Sequence, residues 1–269
     1  MNILVTLNKN YLSPLKVMLK SLFINNPGQT FTIYLMQSDL TDEDLTDLDT
    51  YIKDCGHNFV PISIAPGMFE GAPVFRHYSI EMYYRLAAHK FLPETLDRIL
   101  YLDPDIIVLN PISDFYHQDF KDCMFVAAEH EHSTKVVASF NKLRLKTPLA
   151  KGYFNTGVLL MNLDLIRKNV HLPDIYSFIE ENKFRLFLPD QDILNALYWD
   201  KILPADGFRY NYDARYYELS KLLPTKKNSI EWIEKNTVFL HFCGKDKPWH
   251  EDYKGDLRMF YKKYERLVQ

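Results

Sequence analysis

The feature that most constrains the fold is an alternation at the start of the chain. Residues 2–7 form an apolar, β-rich run fit for a buried strand, and Asn8-Lys9-Asn10 breaks it. Residues 11–23 follow with Leu15, Met18, Leu19 and Leu22 on one helical face, stopped by Asn25-Asn26-Pro27-Gly28. Residues 31–36 read as a second strand, 41–54 as an acidic amphipathic helix with Thr41 as N-cap, and 58–64 as a third strand. Strand, helix, strand, helix, strand predicts an α/β domain with a mainly parallel sheet.

Further along, residues 79–91 read as an aromatic-rich helix. Strands are expected at 98–102, 106–109, 124–128, 158–161 and 238–242, and helices at 190–198 and about 256–267. Residues 204–233 show no clear period and read as loops. No linker or repeat interrupts the 269 residues, so one domain over 1–269 is expected. The 47% hydrophobic content is that of a globular core, and a formal charge of −3 argues against a nucleic-acid partner. Cys55, Cys123 and Cys243 lack any paired spacing and suit free thiols in a reducing compartment. The first residues read as a core strand rather than a signal peptide, and no apolar run is long enough to span a bilayer. A cytoplasmic protein is expected.

Asp-x-Asp occurs at Asp42/Asp44, Asp47/Asp49, Asp103/Asp105 and Asp190/Asp192. In the 41–54 helix the acids oppose the stripe of Leu45, Leu48 and Ile52, which is a solvated face. Asp103/Asp105 is different, because Arg98-Ile99-Leu100-Tyr101-Leu102 runs into it and Ile106-Ile107-Val108-Leu109 runs out. Two carboxylates between core strands want a cation. The motif alone leaves open a cation site or a polar turn that caps a neighbouring backbone. Glu129-His130-Glu131-His132 reads first as a polar loop, then as an acceptor contact, then as a metal site, and Arg76-His77 reads as a surface loop or an acceptor contact.

Ile99-Leu100-Tyr101-Leu102-Asp103-Pro104-Asp105 resembles the strand and D-x-D turn of family 8 glycosyltransferases. These are retaining enzymes related to glycogenin and to bacterial lipopolysaccharide and lipooligosaccharide galactosyl- and glucosyltransferases. Asn10-Tyr11 follows the first strand as in that family. Ser79-Ile80-Glu81-Met82-Tyr83-Tyr84-Arg85-Leu86 is similar to its S-x-x-x-Y-x-R-L helix, and Tyr153-Phe154-Asn155-Thr156-Gly157-Val158 to its F-N-[AS]-G-V turn. Asp190-Gln191-Asp192-Ile193-Leu194-Asn195 matches D-Q-D-I-L-N, and the run from His241 through Gly244 and Lys247 to Pro248-Trp249 matches H-x-x-G-x-x-K-P-W. The matches keep their order from residue 10 to residue 249.

The resemblance implies a Rossmann-like nucleotide-binding fold of the GT-A type. It implies transfer of a hexose, glucose or galactose, from a UDP-sugar to an acceptor hydroxyl of a glycan or glycolipid. Asp103, Asp105 and His241 would hold Mn²⁺ or Mg²⁺; His241 alone would read as a core histidine. Gly244 and Lys247 would meet the diphosphate, with Pro248 and Trp249 bracing their loop. Thr6, Asn8, Asn10 and Tyr11 would take the nucleoside, Tyr11 by stacking on uracil, although a packed aromatic at a helix start explains it too. Asn8 departs from the family, where Asp is common. Arg85 would reach the donor sugar or diphosphate, while Asn155, Asp190 and Gln191 would bond the sugar; Asp190 can also cap Ile193. Gln191 would stabilise an oxocarbenium ion during front-face attack. The tail from Arg258 to Leu267 mixes aromatics and bases, which fits a helix docked on the core or a peripheral contact with the inner face of a membrane. Two other readings are an inactive UDP-sugar-binding protein and a metal-dependent nucleotidyltransferase. The oligomeric state is not legible.

Overall fold

The computed structural model describes residues 1–65, 67–72, 80–129, 135–221 and 225–268, with the backbone alone at 135–138 and 226. Its main sheet has seven strands: β1 (Asn2–Thr6), β2 (Thr32–Gln37), β3 (Asn58–Ser63), β4 (Arg98–Leu102), β6 (Phe125–Glu129), β7 (Phe154–Asn162) and β8 (Ile202–Ala205). The order is β3-β2-β1-β4-β7-β6-β8. Pairing is parallel from β3 to β4 and between β6 and β8, and antiparallel on both sides of β7. A second sheet runs β5-β10-β9, from β5 (Ile106–Val108), β9 (Tyr212–Asp213) and β10 (Phe239–His241). The expected α/β class with a mainly parallel mixed sheet is borne out.

The central strands of the main sheet are covered on both faces, which is why β1, β2 and β4 read as continuous apolar runs. Ile3 and Val5 pack against Leu15, Met18, Leu19 and Leu22 of the helix Leu12–Ile24. Leu4, between them, faces the opposite layer with Tyr83, Leu86, Ile193 and Leu194. A third cluster joins the small sheet to the C-terminal helix Arg258–Val268, through Ile107, Leu240, Phe260, Tyr261 and Tyr264. The tail aromatics are therefore buried in the core, and Tyr264 Oη accepts from Asn25 Nδ2 at 2.7 Å. They are not available for a membrane. Thr41 does cap the helix Asp42–Asp54, in a reciprocal capping box with Asp44. Asp44, Asp47 and Asp49 pair with Lys9, Lys16 and Lys53 at the surface, as a solvated face should.

Three expectations change. The described residues of 204–233 are not all loop: they carry the end of β8, β9, the helices Gly207–Tyr210 and Ala214–Ser220, and the start of the helix Ile230–Asn236. Elements of two to seven residues are too short to show a period. Residues 80–90 are not one helix but a 3₁₀ turn, the α-turn Tyr84–Ala87 and a second 3₁₀ turn. They are buried nearly throughout, so the backbone follows packing rather than one amphipathic face. Phe154 to Gly157 form the first half of β7 rather than a turn. Ser79, Arg76, His77 and residues 130–132 lie outside the described residues.

Candidate active site

A cleft opens at the carboxyl ends of β1 and β4, where open α/β sheets bind ligands. At Asp103-Pro104-Asp105 the chain leaves the main sheet and enters the small one. Asp103 follows β4, and its N–H donates to Gly157 O at 2.8 Å. Asp105 precedes β5, which pairs with β10, and His241 ends β10 opposite Ile106. The main sheet thus delivers Asp103 to the seam, and the small sheet delivers Asp105 and His241. Ligand atoms of Asp103, Asp105 and His241 lie within 4.8 Å of one another. His241 Nε2 stands 3.2 Å from Asp105 Oδ1 and 3.7 Å from Asp103 Oδ2.

This set fits a divalent cation. Asp105 Oδ1 is buried and has no hydrogen-bond partner. Asn211 Oδ1 sits 2.8 Å from His241 Nδ1 and can accept its proton, so Nε2, which faces the carboxylates, is the nitrogen that would ligate a cation once it gives up its own proton. A Cβ on Gly157 would come within 2.3 Å of His241 Cε1 and 2.5 Å of Asp103 Oδ2, so only glycine leaves room for the cluster. Two carboxylates and an imidazole suit Mn²⁺ and accept Mg²⁺. Burial works against an imidazolium at His241, but Cys243 and Asp105 beside it outweigh this, and its pKa stands well above the ordinary imidazole range. Burial likewise opposes ionisation of Asp105, yet Lys247 and His241 hold its pKa below the usual carboxylate range.

The other expected residues gather around that cluster. Arg85 is buried and spans the site: Nη2 is 2.9 Å from Asp103 Oδ1 and Nη1 is 3.3 Å from Asp190 Oδ2. Nη1 also donates to Thr156 O and Nε to Met82 O, and the guanidinium stacks on Tyr101 at 4.1 Å. It ties the metal carboxylate to the helix Pro189–Leu197. That helix starts at Pro189, so Asp190 lies inside its first turn and does not cap it; Asp190 accepts from Thr156 Oγ1 at 2.9 Å. Burial raises the Asp190 pKa against the pull of Arg85. Asn155 Nδ2 donates to Gln191 Oε1 at 3.1 Å, which leaves Gln191 Nε2 buried and unpartnered in the cleft. Asp192 faces away from the cleft, held by Arg144, Tyr153 and the N–H groups of Phe187 and Leu188.

Thr6, Asn8 and Tyr11 line the far end. Asn8 Oδ1 caps the following turn by accepting from Asn10 N at 3.1 Å. Asn10 itself is exposed and stands outside the cleft lining. Trp249 packs edge-on to Tyr11 at 5.6 Å, so the K-P-W segment braces the aromatic. Gly244 has φ +92°, a conformation that other residues rarely adopt. Lys247 is nearly buried and bonds Asp105 Oδ2 and Phe242 O. Asp105 holds the Lys247 pKa up against burial, so it stays a cation.

Sequence reasoning missed several lining groups. Arg215, ion-paired to Asp213, lies against Gly244; a Cβ there would meet its Nη1 at 3.3 Å. Arg215 and Asn211 fell in the stretch without periodicity and carried no motif. Glu81 lines the cleft with Oε1 accepting from Ser38 Oγ and Oε2 unpartnered. Its position inside the S-x-x-x-Y-x-R-L match was the available signal.

Residues 2–253 match the model of glycosyl transferase family 8. The chain belongs to that family. This family 8 transferase is 26% identical to a lipopolysaccharide 1,3-galactosyltransferase of Salmonella typhimurium over 93% of its length and 73% of that protein's. It is 25% identical to general stress protein A of Bacillus subtilis over 98% of its length and 92% of that protein's. Its fold is similar to that of the galactosyltransferase LgtC, solved with donor and acceptor sugar analogs: TM-score 0.84, 23% identity, 99% of this chain and 96% of that one. The expected sugar-transferring enzyme with a fold of the GT-A type is borne out.

Proposed function

We propose that the donor is UDP-glucose or UDP-galactose and that the acceptor is a hydroxyl of a glycan or glycolipid. The reading rests on one observation: Asp103, Asp105 and His241 converge beside the buried amides of Asn155 and Gln191. A cation held by the three ligands would offset charge developing on the departing diphosphate. Thr6, Asn8 and Tyr11 would take the nucleoside, and Gly244 and Lys247 the phosphates. Asn10 would act only through its bond to Asn8.

On the sugar side, Asp190 accepts and Gln191 Nε2 donates, a pair suited to hexose hydroxyls. An amide is a poor nucleophile, and Asp192 is saturated by Arg144, Tyr153 and two N–H groups. Retention through front-face attack, with Gln191 beneath a short-lived oxocarbenium ion, therefore fits better than a covalent intermediate. The family match crosses both sheets, which supports one transferase unit over the whole chain. Three free cysteines suit a cytoplasmic place of work. Among the described residues no helix is long and apolar enough to cross a membrane.

The deciding experiment mixes the protein with UDP-glucose or UDP-galactose, Mn²⁺ and candidate acceptors and follows UDP release. UDP release abolished by chelator is the expected result. Binding without release would make the chain an inactive UDP-sugar binder, and release of pyrophosphate from UTP and hexose 1-phosphate, supplied in place of the UDP-sugar, would make it a nucleotidyltransferase.

A further inference from the structure

Beside the cleft, apolar area and positive charge are segregated in a way the reaction does not use. Leu143, Leu149 and Phe184 are 82%, 78% and 88% exposed, and Phe140 and Phe187 are also exposed. Residues 139–151 and 183–187 contain no acid, in a chain whose formal charge is −3. Lys146, Lys151 and Arg185 stand exposed among the apolar side chains, and none has an ion-pair partner among the described residues. The two segments meet at Arg144. Arg144 Nη1 donates to Arg185 O at 2.7 Å, and its guanidinium lies over the Phe187 ring at 4.7 Å.

We propose that this face docks on an anionic lipid bilayer. Leu143, Leu149 and Phe184 would enter the boundary between headgroups and acyl chains, with Lys146, Lys151 and Arg185 over the lipid phosphates. Side chains this exposed and this apolar mark an interaction surface. Lysine is depleted from protein–protein interfaces, whereas basic side chains beside Leu and Phe are the composition of interfacial membrane binders. The face also adjoins the cleft: Phe187 is followed by Leu188, which lines it, and then by Asp190 and Gln191. A docked enzyme would hold this side of its cleft near the membrane plane. The surface stands on its own observations; a glycolipid acceptor gives it a use.

The test is flotation of the full chain with phosphatidylcholine vesicles, with and without phosphatidylglycerol. The protein should float with anionic vesicles and be released by high salt. Leu143→Ser/Leu149→Ser/Phe184→Ser should weaken partitioning by about tenfold or more, and Lys146→Glu/Lys151→Glu/Arg185→Glu should do the same. Met259→Ser/Leu267→Ser, on the exposed side of the C-terminal helix, should float like the parent. UDP release from the soluble donor should be the same in all of them, which separates a failed docking surface from a failed donor assignment. No flotation, equal flotation with neutral vesicles, or triple variants that float like the parent would overturn the proposal. So would self-association that the apolar triple variant abolishes without any flotation, since the face would then join two copies of the chain.

Discussion

Asp105 serves two partners at once, and this changes what its removal does. Its Oδ2 holds the buried Lys247 ammonium while Oδ1 stands open beside His241. Asp105→Ala should lower turnover by about two orders of magnitude or more. It should also lower Tm, because it strands a buried cation, at a cost of about 3–5 kcal/mol. Asp105→Ala/Lys247→Met should recover Tm without recovering UDP release; recovered release would remove Asp105 from the metal site. His241 gives a pH test. Its folded pKa lies above the unfolded value of about 6.5. In the cation-free protein that stabilisation is complete below about pH 6.5 and is lost as pH rises through the folded pKa. A cation must displace the same proton, so the Tm gain from Mn²⁺ should widen between about pH 6 and pH 8.5. A gain that shrinks over this range would mean the imidazole is not a ligand. Asn8 was legible as a departure from its family, but not as a cap. Asn8→Asp keeps the acceptor that Asn10 N–H uses and removes only the amide donor. The UDP-to-CDP affinity ratio should rise by about fivefold, the worth of one neutral hydrogen bond. An unchanged ratio by calorimetry with Mn²⁺ present would mean that Asn8 does not read the base.

At the level of elements, β7 shows why part of the site was misread. Tyr153 to Val158 were expected to form a turn because they resemble the F-N-[AS]-G-V turn of the family, a reading that the turn preference of Asn155 and Gly157 does nothing to oppose. In the structure they sit in a nine-residue strand flanked on both sides, and the glycine is there because His241 and Asp103 fill the space of its side chain. The resemblance said turn; a tertiary approach decided strand. Gly157→Ala should therefore lose Mn²⁺ binding and about 1–3 kcal/mol of stability by overpacking. Isothermal titration with Mn²⁺ and chemical denaturation measure the two effects; undiminished Mn²⁺ binding would place the cation elsewhere. The helix Pro189–Leu197 was found within a residue of its bounds because Ile193 and Leu194 pack at helical spacing. The cap was an alternative reading of Asp190 because the pattern of a first-turn acid is the same whether it bonds its own backbone or, as here, Thr156 and Arg85.

For the molecule as a whole, the main sheet was legible at β1, β2, β4, β6 and the second half of β7, which are buried on both faces and so read as apolar runs, whereas the more exposed edge strand β8 fell partly in the stretch read as loops. The small sheet was legible only at β5 and β10, since β9 is two residues long and takes its shape from its neighbours. Ligand that binds only the folded state should stabilise the entire chain. UDP with Mn²⁺ at about a hundredfold its Kd adds about 2.7 kcal/mol, or a Tm rise of about 5–10 °C, and either component alone should add less. Equal rises from UDP alone and from the pair would argue against a shared site. The crossing at Asp103-Pro104-Asp105 has a kinetic corollary. Asp103 belongs to the end of one sheet, Asp105 and His241 to the other, so a bound ion is a crosslink between two blocks of hydrogen-bonded backbone. Amide protons of Phe239 to His241 should then exchange with solvent more slowly when Mn²⁺ is present, while those in the middle of β2, far from the crossing, keep their rate.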